Sequence, residues 1–299
     1  MKQGDLVVRK SYGGDVLFRV EEVRTYNAVL KGTDYRLLAD APIPDLSVVR
    51  DPDATSAVQQ VRIKVNESLR RMRTDRERQG LAVEEASRLP EQQQNANYFE
   101  MPGKVLHLDG DNNYLKKSMQ LYNTMRVPAH GLHLHESQMA EVLYRLLPQI
   151  KPDIVVITGH DGVLKNRAPN EVYSLSSYKN SQNFVNAVRI AREYEKNRDG
   201  LVVIAGACQS HFEALLQAGS NFASSPGRIL IHALDPVYIA IKSSYTSIRE
   251  SINLHDVIHG TISGIDGVGG IETMGRYRVG LPKPKAATGL GAVSTAYHA

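Results

Sequence analysis

The chain has 299 residues and a single cysteine, Cys208. An intramolecular disulfide is therefore impossible, and the fold does not depend on an oxidising compartment. Long apolar runs are also missing: the hydrophobic stretches are short and strand-like, well below the roughly 18 residues of a membrane span. The opening residues, MKQGDLVVRK, lack the charged head, apolar stretch and small-residue cleavage site of a secretory signal. A cytoplasmic protein with no membrane partner is expected. No phosphate loop is present either, because the glycine-rich GIDGVGGIE has neither a preceding strand nor a suitable following helix. That segment reads as a flexible loop near the active edge, and no cofactor is expected.

Positive charge is in modest excess, a net +4, and much of it lies in one segment. There Arg62, Arg70, Arg71, Arg73, Arg76 and Arg78 surround an apolar stripe of Val58, Val61, Val65, Leu69 and Met72 at helical spacing. Aromatic residues are not interleaved with these arginines, which argues against a nucleic-acid partner. The segment reads as a solvated helix or helical hairpin between two domains.

The chain divides into four regions. Residues 1–52 alternate short β segments with turn signals such as SYGGD, the pattern of a small β-barrel. Residues 53–100 are the charged helical linker. Residues 101–282 alternate apolar strands with amphipathic helices: KVLHLDG, GLHLHE, DIVVIT and LVVIAG are strands, and RILIHAL is expected to be another. The β-branched runs imply burial on both faces, hence an α/β unit with a mainly parallel sheet sandwiched by helices. Residues 283–299 are rich in Ala, Gly and Pro and read as a mobile tail.

Two turns stand at the ends of strands. ITGHDG places His160 after DIVVIT, and AGACQSH places Cys208 after LVVIAG. Sites in open parallel sheets gather at the carboxyl ends of the strands, and neighbouring strands lie about 4.8 Å apart. If these two strands pair, an imidazole and a thiol emerge side by side. A nearby histidine and a helix N-terminus both favour the thiolate, and Cys208 is expected to precede the helix QSHFEALL directly. Backbone N–H groups of Cys208, Asp161 and Gly162 are candidates for an oxyanion site. Histidine before cysteine, about 50 residues apart on consecutive strands, is the order of caspase-type proteases, whereas papain-like enzymes and class I amidotransferases place cysteine first. This points to a caspase/gingipain-like arrangement and to peptide-bond hydrolysis. An inert buried thiol is the structural alternative.

The stretches MPGKVLHLDGD, YLKK, PDIVVITGHD, AGACQSHFEALLQAGSNFASSP, IHALDPVYIA and GGIETMGRYRVGLP resemble the YabG family of sporulation-specific peptidases. GDLVVRKSYGGDVLFRV resembles the family's opening, so the likeness runs to about residue 282. The resemblance implies a cysteine endopeptidase that processes spore coat and cortex-associated proteins, cleaves after arginine, and processes itself. It puts the nucleophile at Cys208 and the base at His160. It also implies location in the cytoplasm of the sporulating cell, with association with the forming spore coat.

A protease that cleaves after arginine needs a carboxylate to meet the guanidinium. Asp109, Asp111 and Asp161 are the candidates, each also suited to capping a turn. Self-cleavage within Arg62–Arg78 is a corollary. His130, His133, His135 and Glu136 do not converge as metal ligands, so no metal is expected. His211 and His232 read as structural. A non-enzymatic spore coat assembly or docking protein is the competing function, and the sequence does not set the oligomeric state.

Overall fold

The structure is a computed structural model that describes residues 1–51, 56–86, 99–164 and 169–280. The chain beyond 280, including the tail from 283, and linker residues 87–98 lie outside the described residues. So do residues 52–55 and 165–168.

The N-terminal unit is a five-stranded antiparallel sheet. Its strands are β1 (Leu6–Arg9), β2 (Phe18–Val23), β3 (Asn27–Gly32), β4 (Leu38–Pro42) and β5 (Leu46–Val48), in the order β4-β3-β2-β1-β5. The edge strands β4 and β5 are consecutive in the chain, joined only by Ile43–Asp45 in a 3₁₀ turn. Three residues span at most about 11 Å, so the two edges come close and the sheet curls on itself. Val7, Phe18, Val20, Ala28, Leu30 and Ala41 fill its interior.

The charged segment forms one helix, α1 (Ser56–Ala86). Val65, Leu69 and Met72 pack onto the core of the following unit, and Lys242 Nζ reaches Asp75 Oδ2 at 2.6 Å. Its spacing is helical as expected, but one side is docked rather than solvated.

The C-terminal unit begins with β6 (Phe99–Met101), β7 (Val105–Asp109), α2 (Asn112–Thr124) and β8 (Ala129–His133). It continues with α3 (Met139–Ile150), β9 (Ile154–Thr158), α4 (Ser181–Tyr194), β10 (Val202–Ala205), α5 (Phe212–Ala218) and β11 (Phe222–Ser224). It closes with α6 (Asp235–Tyr245), α7 (Leu254–Gly260), α8 (Gly264–Gly267), β12 (Val268–Gly270) and β13 (Arg278–Gly280). The main sheet runs β12-β11-β10-β9-β7-β8, parallel except for β12, which lies antiparallel on β11. Strands β6 and β13 form a separate antiparallel pair.

Alternate residues of each strand serve opposite faces. Val105, Val156 and Ile204 face a layer that includes Tyr122 of α2, α6 residues and Val257 of α7; Leu106, Leu108, Val155 and Ile157 face α3, α4 and α5. Both faces are covered, as the β-branched runs imply. Two segments differ from expectation. RILIHAL is not a sheet strand; its one bridge is the antiparallel pairing of His232 with Tyr35 of the N-terminal unit. The glycine-rich 264–270 segment is not an open loop, because it folds as α8 and edge strand β12.

From β7 the chain passes to β8 on one side, then returns to β9 on the other. The junction of β7 and β9 is therefore a topological switch point, the place at the carboxyl ends of the strands where a crevice is expected. Phe184, fully buried where α4 packs on this sheet, anchors that face. Phe184→Ala should cost about 3–5 kcal/mol in urea denaturation; a loss under about 1 kcal/mol would show that the helix layer is not packed as described.

Candidate functional site

Strands β9 and β10 are hydrogen-bonded parallel neighbours, with Ile157 opposite Ala205. The turns carrying His160 and Cys208 therefore leave the same sheet edge. Gly206 N–H donates to Ile157 O at 3.0 Å, and Thr158 Oγ1 donates to Gly206 O at 2.9 Å. Gly206 has φ +109°, and a Cβ there would stand 2.9 Å from Leu215 Cδ1, so only glycine fits the turn that leads to the cysteine.

Asp161 braces the two turns. Its Oδ1 accepts from Asn180 N at 2.8 Å and Gly162 N at 2.9 Å; its Oδ2 accepts from Ser210 Oγ at 2.9 Å and from Ser181 Oγ. Ser210 Oγ in turn accepts from Ala207 N at 2.9 Å. Burial raises the Asp161 pKa despite these bonds. The carboxylate is thus engaged within the chain, as is the Gly162 N–H among the three candidate oxyanion donors.

His160 is held from two sides. Its backbone N–H donates to Glu136 Oε1 at 2.8 Å, and its Nε2 lies 3.4 Å from Asp111 Oδ2, close but outside hydrogen-bond geometry. Glu136 is buried beneath Gly110 and Gly159, where any Cβ would collide with its carboxylate. Burial lowers the His160 pKa, outweighing the pull of Asp111 and Glu136, so the ring is neutral near pH 7. Asp111 also caps α2, accepting from Asn113 N at 2.8 Å and Tyr114 N at 3.1 Å, and pairs with Lys31 Nζ at 2.5 Å.

Asp109 ends β7 and is wholly buried. Arg36, from the N-terminal unit, donates to both of its oxygens, at 2.8 and 2.9 Å. Burial alone would raise the Asp109 pKa; the Arg36 charge and then His107 overcome this and hold it well below the carboxylate range. Asp109, Asp111 and His160 thus meet at the switch point, while Asp161 lies in the brace beside it.

Cys208 is 1% exposed. Ile231 N–H points at its Sγ from 3.2 Å. Burial pushes the thiol up to about 12, against the opposing effects of the Ile231 and Arg36 backbone amides and the Arg36 charge. The cysteine does not stand directly at a helix N-terminus. Helix α5 starts at Phe212, capped by His211 Nδ1, and between them Gln209 adopts φ +54°.

Among the described residues, no group of three or more His, Cys, Asp or Glu side chains is arranged to hold a metal ion. His135 Nδ1 bonds Ser137 Oγ at 2.9 Å, away from His130. His232 Nδ1 accepts from Leu234 N at 3.2 Å, and its ring meets Tyr35 edge-on. Arg36 and Ser210 carry no mark in the sequence, and Glu136 stands out there only beside the histidines. Gly110 and Gly159, flanking the sites of Asp109 and His160, were the available sign that something bulky lies beneath.

The sequence profile of the family described as YabG peptidase U57 matches residues 2–282. The sporulation-specific protease YabG of Bacillus subtilis (strain 168) is 45% identical over 288 residues, 93% of this chain and 97% of that protein.

A thiol this deeply buried stays protonated across the neutral range. The rate of Cys208 alkylation by iodoacetamide should therefore rise steadily from pH 7 to 10, where a free cysteine levels off near its pKa of about 8.5. A plateau near that value would contradict the buried placement.

Proposed function

The chain belongs to the YabG peptidase family, and we propose that it is a cysteine endopeptidase with Cys208 as nucleophile and His160 as general base and acid. A peptidase role in sporulation follows from the family. The cysteine mechanism is supported chiefly by one observation: His160 and Cys208, the latter the chain's only cysteine, end hydrogen-bonded neighbouring strands at one sheet edge.

In the proposed reaction His160 takes the thiol proton as Sγ attacks the carbonyl carbon of the scissile bond. The resulting oxyanion is met by backbone N–H groups, for which Cys208 and Asp161 are the candidates, with Gly162 after release from the Asp161 carboxylate. The C–N bond breaks as the imidazolium passes its proton to the leaving amine. A water molecule, deprotonated by the same histidine, then attacks the thioester and frees the carboxyl product. Asp111 and Glu136 act as positioning residues, orienting the ring and its backbone as a third group does in nucleophile–base pairs. The strand order, with base and nucleophile on successive parallel strands, supports a caspase-like arrangement.

Cleavage after arginine is part of the proposal, with Asp109, Asp111 and Asp161 as the candidate carboxylates. Asp109 suits a guanidinium best, since it already receives one through both oxygens. The proposed substrates are spore coat and cortex-associated proteins in the cytoplasm of the sporulating cell or at its forming coat. No helix among the described residues is long and apolar enough to cross a membrane. Self-processing within Arg62–Arg78 would require α1 to unwind locally, because proteases take extended chains.

Cys208→Ala and His160→Ala should each lower hydrolysis of an Arg-containing peptide by about a thousandfold or more while thermal melting stays cooperative. Full activity of the cysteine variant, as expected of a docking protein carrying a contaminating protease, would overturn the mechanism. Equal cleavage after Arg and Leu in a peptide panel would overturn the specificity.

A further inference from the structure

The loop between β3 and β4 reaches out of the N-terminal sheet and lies across the switch-point crevice. Its backbone makes one antiparallel bridge to Ile231–Ala233. Arg36 N–H donates to Ile231 O at 3.3 Å, Ala233 N–H donates to Asp34 O at 2.7 Å, and Tyr35 stands opposite His232. Extended peptides are held in the same way, main chain giving affinity and side-chain pockets giving specificity.

The side chain of Arg36 enters such a pocket. Its guanidinium meets Asp109 through two parallel bonds, donates to Ala233 O at 3.1 Å and lies 5.0 Å from the Tyr114 ring centre. The Arg36 backbone also approaches the Cys208 thiol, and Ile231, its backbone partner, donates its N–H to Sγ at 3.2 Å. An ordinary domain interface has no need to bring main chain, guanidinium pocket and thiol together in one residue.

We propose that residues 33–37 are an internal substrate mimic: Arg36 fills the arginine subsite formed by Asp109, Asp34–Arg36 pairs with the Ile231–Ala233 edge where a protein substrate would pair, and the enzyme rests closed. This rests on the reading of Cys208 as nucleophile. The bond after Arg36 is withheld from attack by local geometry. Leu37 N–H turns back onto Tyr35 O at 2.8 Å, so the chain reverses at Arg36, whereas a substrate must run on past the nucleophile.

The mimic is held by contacts outside the subsite. Tyr114 Oη lies 2.5 Å from Gly32 O and 2.6 Å from Tyr35 O, its one proton shared between them, and Lys117 Nζ donates to Thr33 O at 2.6 Å. Loosening these frees the loop while leaving Cys208, His160 and Asp109 unaltered, and phenylalanine at 114 keeps the ring that faces His160. The apparent reactivity of a mostly closed site scales with the fraction open.

The test uses the full chain in three forms: wild type, Arg36→Gln, and Tyr114→Phe combined with Lys117→Ala in case Arg36→Gln, which strands Asp109, does not fold. Two rates are read for each, iodoacetamide alkylation of Cys208 by mass and hydrolysis of an Arg-containing peptide. Both should rise about tenfold or more in the opened forms. In the Tyr114→Phe/Lys117→Ala form, a synthetic peptide of residues 31–39 should slow alkylation, and the same peptide with alanine for Arg36 should not. Alkylation within about twofold of wild type in all forms would overturn the mimic; Cys208-dependent hydrolysis would then still stand. Equal protection by both peptides would likewise overturn the arginine subsite. Faster alkylation without hydrolysis in any form would support the occluding loop and overturn the peptidase reading instead.

Discussion

The ion pair between Arg36 and Asp109 ties the two units of this protein together. Both side chains are fully buried, one from a loop of the N-terminal sheet and the other from the end of β7. Neither charge could stay there alone, since an unpaired buried ion costs several kcal/mol. The N-terminal unit is therefore not a freely appended module. Its docking completes the electrostatics of the crevice, and its removal would leave Asp109 either solvated or protonated. Burial keeps the nearby thiol and imidazole neutral, the thiol against the pull of the Arg36 charge.

The rest of the site follows from sheet topology. The chain leaves β7 and β9 in opposite directions, so Asp109, Asp111 and His160 collect where the crevice must open. Cys208 enters from the next strand, and the Asp161–Ser210 link fixes its turn to that of His160. Glycines do the close fitting: Gly110 and Gly159 admit Glu136, and Gly206 allows the sharp approach to the cysteine.

Much of this was legible in the sequence because burial on two faces leaves a plain mark. DIVVIT and LVVIAG could be little other than central parallel strands, and their small-residue ends located His160 and Cys208 on one edge once the strands proved adjacent. RILIHAL has the same apolar character, yet it pairs with the loop at Tyr35 instead of joining the sheet, a long-range contact that local pattern does not encode. Arg36 sits in YRLLAD, which reads as ordinary strand residues; nothing nearby reveals that its guanidinium crosses to a carboxylate 73 positions away. The Arg-rich helix misled in the other direction, since a charged face is conspicuous while Val65, Leu69 and Met72, which dock it, are sparse.

The proposed reaction needs a cysteine nucleophile beside a carboxylate that receives arginine. The most direct measurement is affinity labelling of the whole protein with a peptidyl-arginyl chloromethyl ketone, read by peptide mapping after prolonged incubation. A single adduct on Cys208, absent when the leucyl analogue is used, is the predicted result. No adduct, or equal labelling by the two reagents, would contradict it.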